Sequence, residues 1–197
     1  ALSTIIAMEN SSSQNASETD FLDELRERLS FLDEAISESP NSPRLLQNRG
    51  ETNFYLGNIE QSIADFDRVI ELIPGQEPRH WQRGISYYYA GEFAKGVAQF
   101  ELHQTVNPQD VENAVWHFLC KARGDGIAAA KQSLIPIARD YRVPMSQIWD
   151  LFSGEATPGI VLEAATTRGT RQSLCYAHLY LGLYYEAFGK GELAEKH

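Results

Sequence analysis

The chain repeats itself at an interval of 34 residues between Pro43 and Pro108. At this offset five landmarks align: Arg49 with Arg83, Gly50 with Gly84, Gly57 with Gly91, Phe66 with Phe100 and Pro74 with Pro108. The period is typical of a helical hairpin, which buries its apolar face only by stacking on neighbouring hairpins. Within each repeat a glycine permits a close helix crossing, a second glycine makes the turn, and a proline ends the second helix. The repeat therefore predicts an all-α solenoid of helical hairpins.

These landmarks resemble the tetratricopeptide repeat (TPR) family, whose pattern runs from a leucine-glycine pair through an aromatic, a small residue and a second aromatic to a closing proline. Two sets of positions depart from that pattern. Arg49 and Arg83 stand where leucine is usual, and Ser62 and Gly96 stand where alanine is usual. The resemblance implies a right-handed TPR-type solenoid and a non-enzymatic scaffold that binds a protein or peptide.

The regions before the first repeat are predicted as a tail and a cap. Residues 9–18 are polar and low in complexity, and we expect residues 1–18 to form a flexible N-terminal tail. Apolar residues recur every three or four positions from Phe21 to Ile36, which predicts a cap helix over 19–38. We interpret 19–197 as a single solenoid. Its regular repeats follow the cap helix at 43–74 and 77–108.

The rest of the solenoid is predicted to be less regular. A degenerate hairpin over 110–137 has Phe118 at the crossing-glycine position and Pro136 in its second helix. An insert of two helices follows at 144–166. Its first helix carries an apolar stripe in which we expect Trp149 to be buried. The last repeat, 171–197, is incomplete.

The order of these parts resembles that of bacterial TPR lipoproteins that are adaptors for envelope proteases and, more distantly, that of chloroplast TPR proteins of plants and algae. The resemblance implies an adaptor or assembly factor within a larger complex. The chain begins with alanine rather than methionine. A removed targeting segment would fit a chloroplast or a bacterial-envelope-type compartment, and the sequence leaves the compartment open.

The composition argues against nucleic-acid binding and against a membrane-spanning helix. The formal net charge is −10 and the pI is about 4.9, so phosphate backbones are repelled. A helical-repeat RNA binder is therefore only an alternative hypothesis, and we expect no nucleic-acid partner. No apolar run reaches the roughly 20 residues of a membrane-spanning helix, so the chain is predicted to be soluble.

Residues with catalytic potential are scattered. The five histidines show no recognised metal spacing, and neither a nucleophile motif nor a phosphate-binding glycine loop is present. His117 and Cys120 stand three apart and would share a helix face. They support only an alternative hypothesis, an enzyme-associated subunit or weak metal-binding protein. We expect no cofactor and no enzymatic activity.

Candidate binding residues follow from the TPR resemblance, because the first helix of each TPR hairpin lines the concave face. Glu51 and Ile85 occupy positions where chaperone-binding TPR domains carry asparagine, so carboxylate recognition is not implied. The remaining aromatic character favours an apolar peptide or helix. We expect Trp81 and Tyr89 to be exposed, whereas Phe54 and Tyr88 are left open between packing and binding. The predicted groove comprises Arg44, Gln47, Glu51, Phe54, Tyr55, Trp81, Ile85, Tyr88 and Tyr89.

Overall fold

A computed structural model describes residues 11–197, with side chains from Thr19 onward, and this part of the chain is helical without a β-strand. The all-α prediction is confirmed. The chain divides into two compact units, which meet in sequence between Glu92 and Phe93. The helices are α1 Ser11–Glu38, α2 Pro43–Tyr55, α3 Ile59–Leu72, a 3₁₀ helix Pro74–Arg79, α4 Trp81–Tyr89, α5 Phe93–Gln104, α6 Val111–Asp125, α7 Ile127–Gln132, α8 Met145–Ser153, α9 Pro158–Arg168, α10 Arg171–Ala187 and α11 Gly191–Ala194.

Helix α1 includes the predicted cap helix and extends beyond it. It begins at Ser11, inside the segment that the sequence predicts as a tail. No proline or glycine occurs between Ser11 and Glu38, so nothing in the backbone chemistry interrupts the helix. The part of the predicted tail before Ser11 lies outside the described residues.

The core of the first unit forms where α1 meets the first hairpin. Ile36 of α1, Leu46 of α2 and Val69 of α3 are buried together, with Leu45 and Leu72 packed against them. Each of these helices contributes at least one apolar side chain to the shared core. The cap helix thus gains its stability from packing rather than from helix propensity alone.

The hairpin of α2 and α3 closes around Gly50. A Cβ atom built on Gly50 would lie 2.7 Å from Cε1 of Phe66, whose ring is fully buried on α3. Only glycine leaves room for that ring. Gly57 and Gly91 end α2 and α4 with φ near +78° and +76°, in the left-handed region that favours glycine. The 34-residue period thus repeats a backbone conformation as well as residue types.

The departures from the TPR pattern form polar contacts between successive helices. Ser62 Oγ lies 3.1 Å from Ser86 Oγ in a buried hydroxyl pair between α3 and α4. Arg49 binds both carboxylate oxygens of Asp65 at 2.9 and 2.7 Å. This bidentate contact raises the pKa of the Arg49 guanidinium, which therefore stays charged.

A second set of polar pairs follows the repeat itself. Arg49 contacts Asp33 at 2.9 Å, and Arg83 contacts Asp67 at 2.8 Å. In the second unit His117 lies 3.4 Å from Glu101. Acid and base are 16 residues apart in every pair, and successive pairs are 34 residues apart. The register of the repeat therefore extends to α5 and α6, although Phe118 replaces the crossing glycine.

Helix α6 is the centre of the second unit. It is buried from Asn113 to Cys120 and packs against α5, α7, α8 and α10. The Phe118 ring meets Phe152 of α8 edge-on at 5.2 Å and stacks near Phe188 at 6.4 Å. A large ring at the crossing position thus has one partner from the insert and one from the residue that follows α10.

The second helix of the degenerate hairpin is shorter than predicted. Helix α7 ends at Gln132, because Pro136 cannot donate to the carbonyl of residue 132 and its ring would clash there. Helix α8 packs on α6 instead, burying Met145, Ile148 and Phe152. Trp149 is only half-buried, and its indole nitrogen donates to the Ile135 carbonyl at 3.0 Å. Leu151 is buried in α8, whereas Trp149 lies at the edge of the buried face.

An ion cluster ties the segment before α8 to the start of α6. The Arg142 guanidinium binds Asp140 at 2.6 and 3.0 Å and Asp110 at 2.6 Å, and it also donates to Glu112. Glu112 accepts a second hydrogen bond from Tyr180 of α10 at 2.9 Å. We call these five residues the Arg142 cluster. It joins three parts of the second unit that are far apart in sequence.

Candidate functional site

A cleft of about 270 Å³ opens between α2 and α4 in the first unit. Its lining combines aromatic rings with one carboxylate and one amide. Five of the nine predicted groove residues line it. The cleft residues are Glu51, Phe54, Tyr55, Phe66, Trp81, Gln82 and Ile85.

Two of the aromatic residues that line the cleft are open to solvent. Trp81 is 45% exposed and Tyr55 is 53% exposed, although both rings are large and apolar. Phe54 is half-buried and is held edge-on between Tyr55 at 5.9 Å and Tyr89 at 5.7 Å. The buried ring of Phe66 also contributes to the lining. Because neighbouring rings hold Phe54 and burial holds Phe66, these two rings offer a ligand contact area at little further cost in conformational entropy.

Glu51 supplies the only carboxylate of the cleft lining. Its Oε1 accepts hydrogen bonds from Gln47 at 2.8 Å and from Gln82 at 3.4 Å. Both donors are neutral amides, so they orient the carboxylate without neutralising its charge. The cleft therefore presents a positioned negative charge beside aromatic rings.

The basic residues in and beside α4, Arg83 and His80, do not neutralise Glu51. Arg83 is committed to Asp67 at 2.8 Å and Glu77 at 3.0 Å. His80 is buried against Phe66, and burial together with the nearby Arg83 charge lowers the pKa of its imidazole. The imidazole is therefore neutral at neutral pH, despite the opposing influence of Asp67 and Glu51.

The other predicted groove residues lie outside the cleft lining. Arg44 is exposed near the start of α2, and Gln47 acts through its bond to Glu51. Tyr88 is only 4% exposed, so its ring belongs to the packed interior rather than to a binding surface. Tyr89 is half-buried and borders a separate depression formed by the turns around Gly57 and Ala90.

Two cleft residues are absent from the predicted groove, Gln82 and Phe66. Gln82 follows Trp81 directly and stands one turn before Ile85, so helical spacing alone could have suggested it. Phe66 is a landmark of the repeat. It reaches the cleft because Gly50 leaves space for its ring.

Helix α6 carries the two residues of the metal-binding hypothesis on its buried part. His117 and Cys120 are both buried, and burial raises the pKa of the Cys120 thiol to about 12. Burial also lowers the pKa of the His117 imidazole, although Glu101 opposes that shift. Within residues 19–197, histidine, cysteine, aspartate and glutamate form no group of three or more suited to a metal ion. The Cys120 sulfur is thus a protonated thiol at neutral pH, which makes it a poor nucleophile.

No protein-family model matches the chain. Among the described helices, none combines the length and the apolar character that crossing a bilayer requires.

Proposed function

We propose that this chain is a TPR-type helical-hairpin protein that holds a segment of another protein in the cleft between α2 and α4. Its role is non-enzymatic, that of an adaptor or assembly factor. The observation that carries this proposal is the exposure of Trp81 and Tyr55 on opposite helices of one cleft.

The chemistry of the cleft favours a protein partner. Aromatic side chains at the centre of a protein interface contribute more binding free energy than most other residues. Both helices that border the cleft are held to α3, with α4 held by the Ser62–Ser86 and Arg83–Asp67 pairs and α2 by the Arg49–Asp65 pair. A partner therefore meets a surface that is ordered before binding, which lowers the entropic cost of association.

The repeat pattern and the net charge support the same proposal. A 34-residue hairpin repeat is an architecture that displays surfaces rather than reacting groups. The charge of −10 disfavours nucleic acid as the partner. The aromatic cleft and the acidic surface are both compatible with a polypeptide.

We expect replacement of both Trp81 and Tyr55 by alanine to abolish capture of the partner. Each ring should contribute on the order of 1–3 kcal/mol to the binding free energy. The measurement is affinity capture from the native source with wild type and the double variant, followed by titration of the purified partner. The sequence alone favours Tyr89 as the companion of Trp81, but the structure places Tyr55 in the cleft.

Phe31→Ala provides the matched control for this experiment. Phe31 is 67% exposed on α1, in the same unit, and does not line the cleft. Its removal should leave both the partner list and the affinity unchanged. If the double variant captures the same partners with the same affinity as wild type, the cleft is not the binding site.

A further inference from the structure

The cleft has a chemical preference beyond apolar contact. The faces of tryptophan and tyrosine rings attract cations, and a carboxylate beside them can form an ion pair with the same group. Trp81, Tyr55 and Glu51 provide both features in one cleft. We propose that the cleft receives a cationic side chain, lysine or arginine, from the bound protein segment. This inference rests on the proposed function and specifies the chemistry of its ligand.

The Glu51 carboxylate lacks a cationic partner of its own. From Thr19 to Glu92, no lysine or arginine side chain forms an ion pair with it, and its hydrogen bonds come from Gln47 and Gln82. A partner that covered the cleft with an apolar side chain would remove water from this charge without replacing it. Burying an uncompensated carboxylate is costly. A cationic side chain satisfies the carboxylate as it covers it.

The size of the cleft also fits one long side chain. Its volume of about 270 Å³ lies below the range of about 300–1,000 Å³ typical of pockets for whole small molecules. Lysine and arginine bury an apolar stem while their charged end seeks a polar group. The rings of Trp81 and Phe66 and the side chain of Ile85 match the stem, and Glu51 matches the charged end.

The charge of the whole chain favours the same occupant. A net charge of −10 attracts basic segments over distances longer than direct contact and raises their association rate. Since salt screens this attraction, binding should weaken as ionic strength rises.

The test uses three capped pentapeptides as probes. They share leucine and alanine at the flanking positions and differ only at the centre, which is arginine, citrulline or leucine. Citrulline has nearly the shape of arginine but no charge. Binding is followed by the indole N–H resonance of Trp81, which the Trp81→Phe variant assigns.

We expect the arginine peptide to bind roughly fivefold to tenfold more tightly than the citrulline peptide at low ionic strength. Glu51→Gln should greatly reduce this difference, because glutamine retains the shape and the acceptor oxygen but not the charge, and only the weaker attraction of the aromatic rings for a cation remains. Glu27→Gln is the matched control. It removes one exposed carboxylate from α1 and should leave the preference for arginine intact.

The outcomes separate this inference from the proposed function. Equal binding of the arginine and citrulline peptides, or tighter binding of the leucine peptide, would overturn the cationic assignment while the cleft remained a docking site. A preference for arginine that Glu51→Gln leaves undiminished would also overturn it. If no peptide shifts the Trp81 resonance, the cleft is not a docking site and both proposals fail.

Discussion

Replacing Gly50 by leucine should lower the free energy of unfolding of the first unit by about 3 kcal/mol, at the upper end of the usual range for overpacking. Even a single Cβ atom would lie 2.7 Å from the Phe66 ring. That ring is fully buried, so it cannot move aside into solvent. The measurement is urea unfolding followed by circular dichroism.

Two alanine variants isolate the steric origin of this effect. Alanine stabilises an exposed helix interior by about 1 kcal/mol relative to glycine. Gly50→Ala should nevertheless destabilise the protein, because the clash outweighs the gain in helix propensity. Gly75 has open space around its Cβ position and an ordinary φ, so Gly75→Ala should be neutral or slightly stabilising. If Gly50→Ala and Gly75→Ala change the free energy of unfolding by the same amount, the close crossing of α2 and α3 is wrong.

Replacing Arg142 by alanine should destabilise the second unit by about 2–4 kcal/mol. The change leaves the nearly buried carboxylate of Asp140 without its cation and weakens the links to Asp110 and Glu112. Breaking a buried ion pair costs about 3–5 kcal/mol, and the partial exposure of the guanidinium reduces this figure. In a Trp81→Phe background, Trp116 and Trp149 report unfolding of the second unit alone.

Arg139 offers a control from the same loop. It is exposed and its side chain contacts Tyr141. Arg139→Ala should change stability by less than about 0.5 kcal/mol. An equal loss from both substitutions would show that the loss of a positive charge, rather than the Arg142 cluster, explains the effect.

The Arg142 cluster also predicts a dependence on pH. Burial alone would raise the pKa of Asp140, but hydrogen bonds from Arg142 and from the Val111 backbone together hold this pKa below its usual value. A carboxylate whose pKa is lowered by folding stabilises the folded state at pH values above its unfolded-state pKa, which is near 4. This stabilisation is lost as the pH falls through the folded-state pKa. The stability difference between wild type and Arg142→Ala should therefore narrow below about pH 4. A constant difference would contradict this assignment.

Several features of this protein could be predicted from local sequence patterns. The interval of 34 residues and the apolar spacing predict helices, and the structure is all-helical in the part that it describes. Turn glycines and prolines act on the backbone within a few residues, so their effects can be read directly from the sequence. Pro136 is the clearest example, because α7 ends at the residue whose carbonyl that proline would meet. The right-handed TPR solenoid stays a prediction.

A second set of features was present in the sequence but unrecognised. The acid-base pairs of Asp33 with Arg49 and of Asp67 with Arg83 follow the same period as the glycines. The TPR pattern by itself presents Arg49 and Arg83 only as departures from its leucine. Their carboxylate partners, 16 residues earlier, show that the substitution keeps a specific contact between helices.

The cleft and the Arg142 cluster were decided by tertiary structure. Sequence spacing places Tyr55, Trp81 and Tyr88 on first helices alike, yet Tyr88 is buried while the other two line an open cleft. Likewise Arg142 and Tyr180 share a carboxylate, Glu112, that stands 30 residues from the first and 68 from the second. Helical periodicity records which side of a helix a residue occupies. Only the packing of one helix on another determines whether that side meets a core, a charged partner or water.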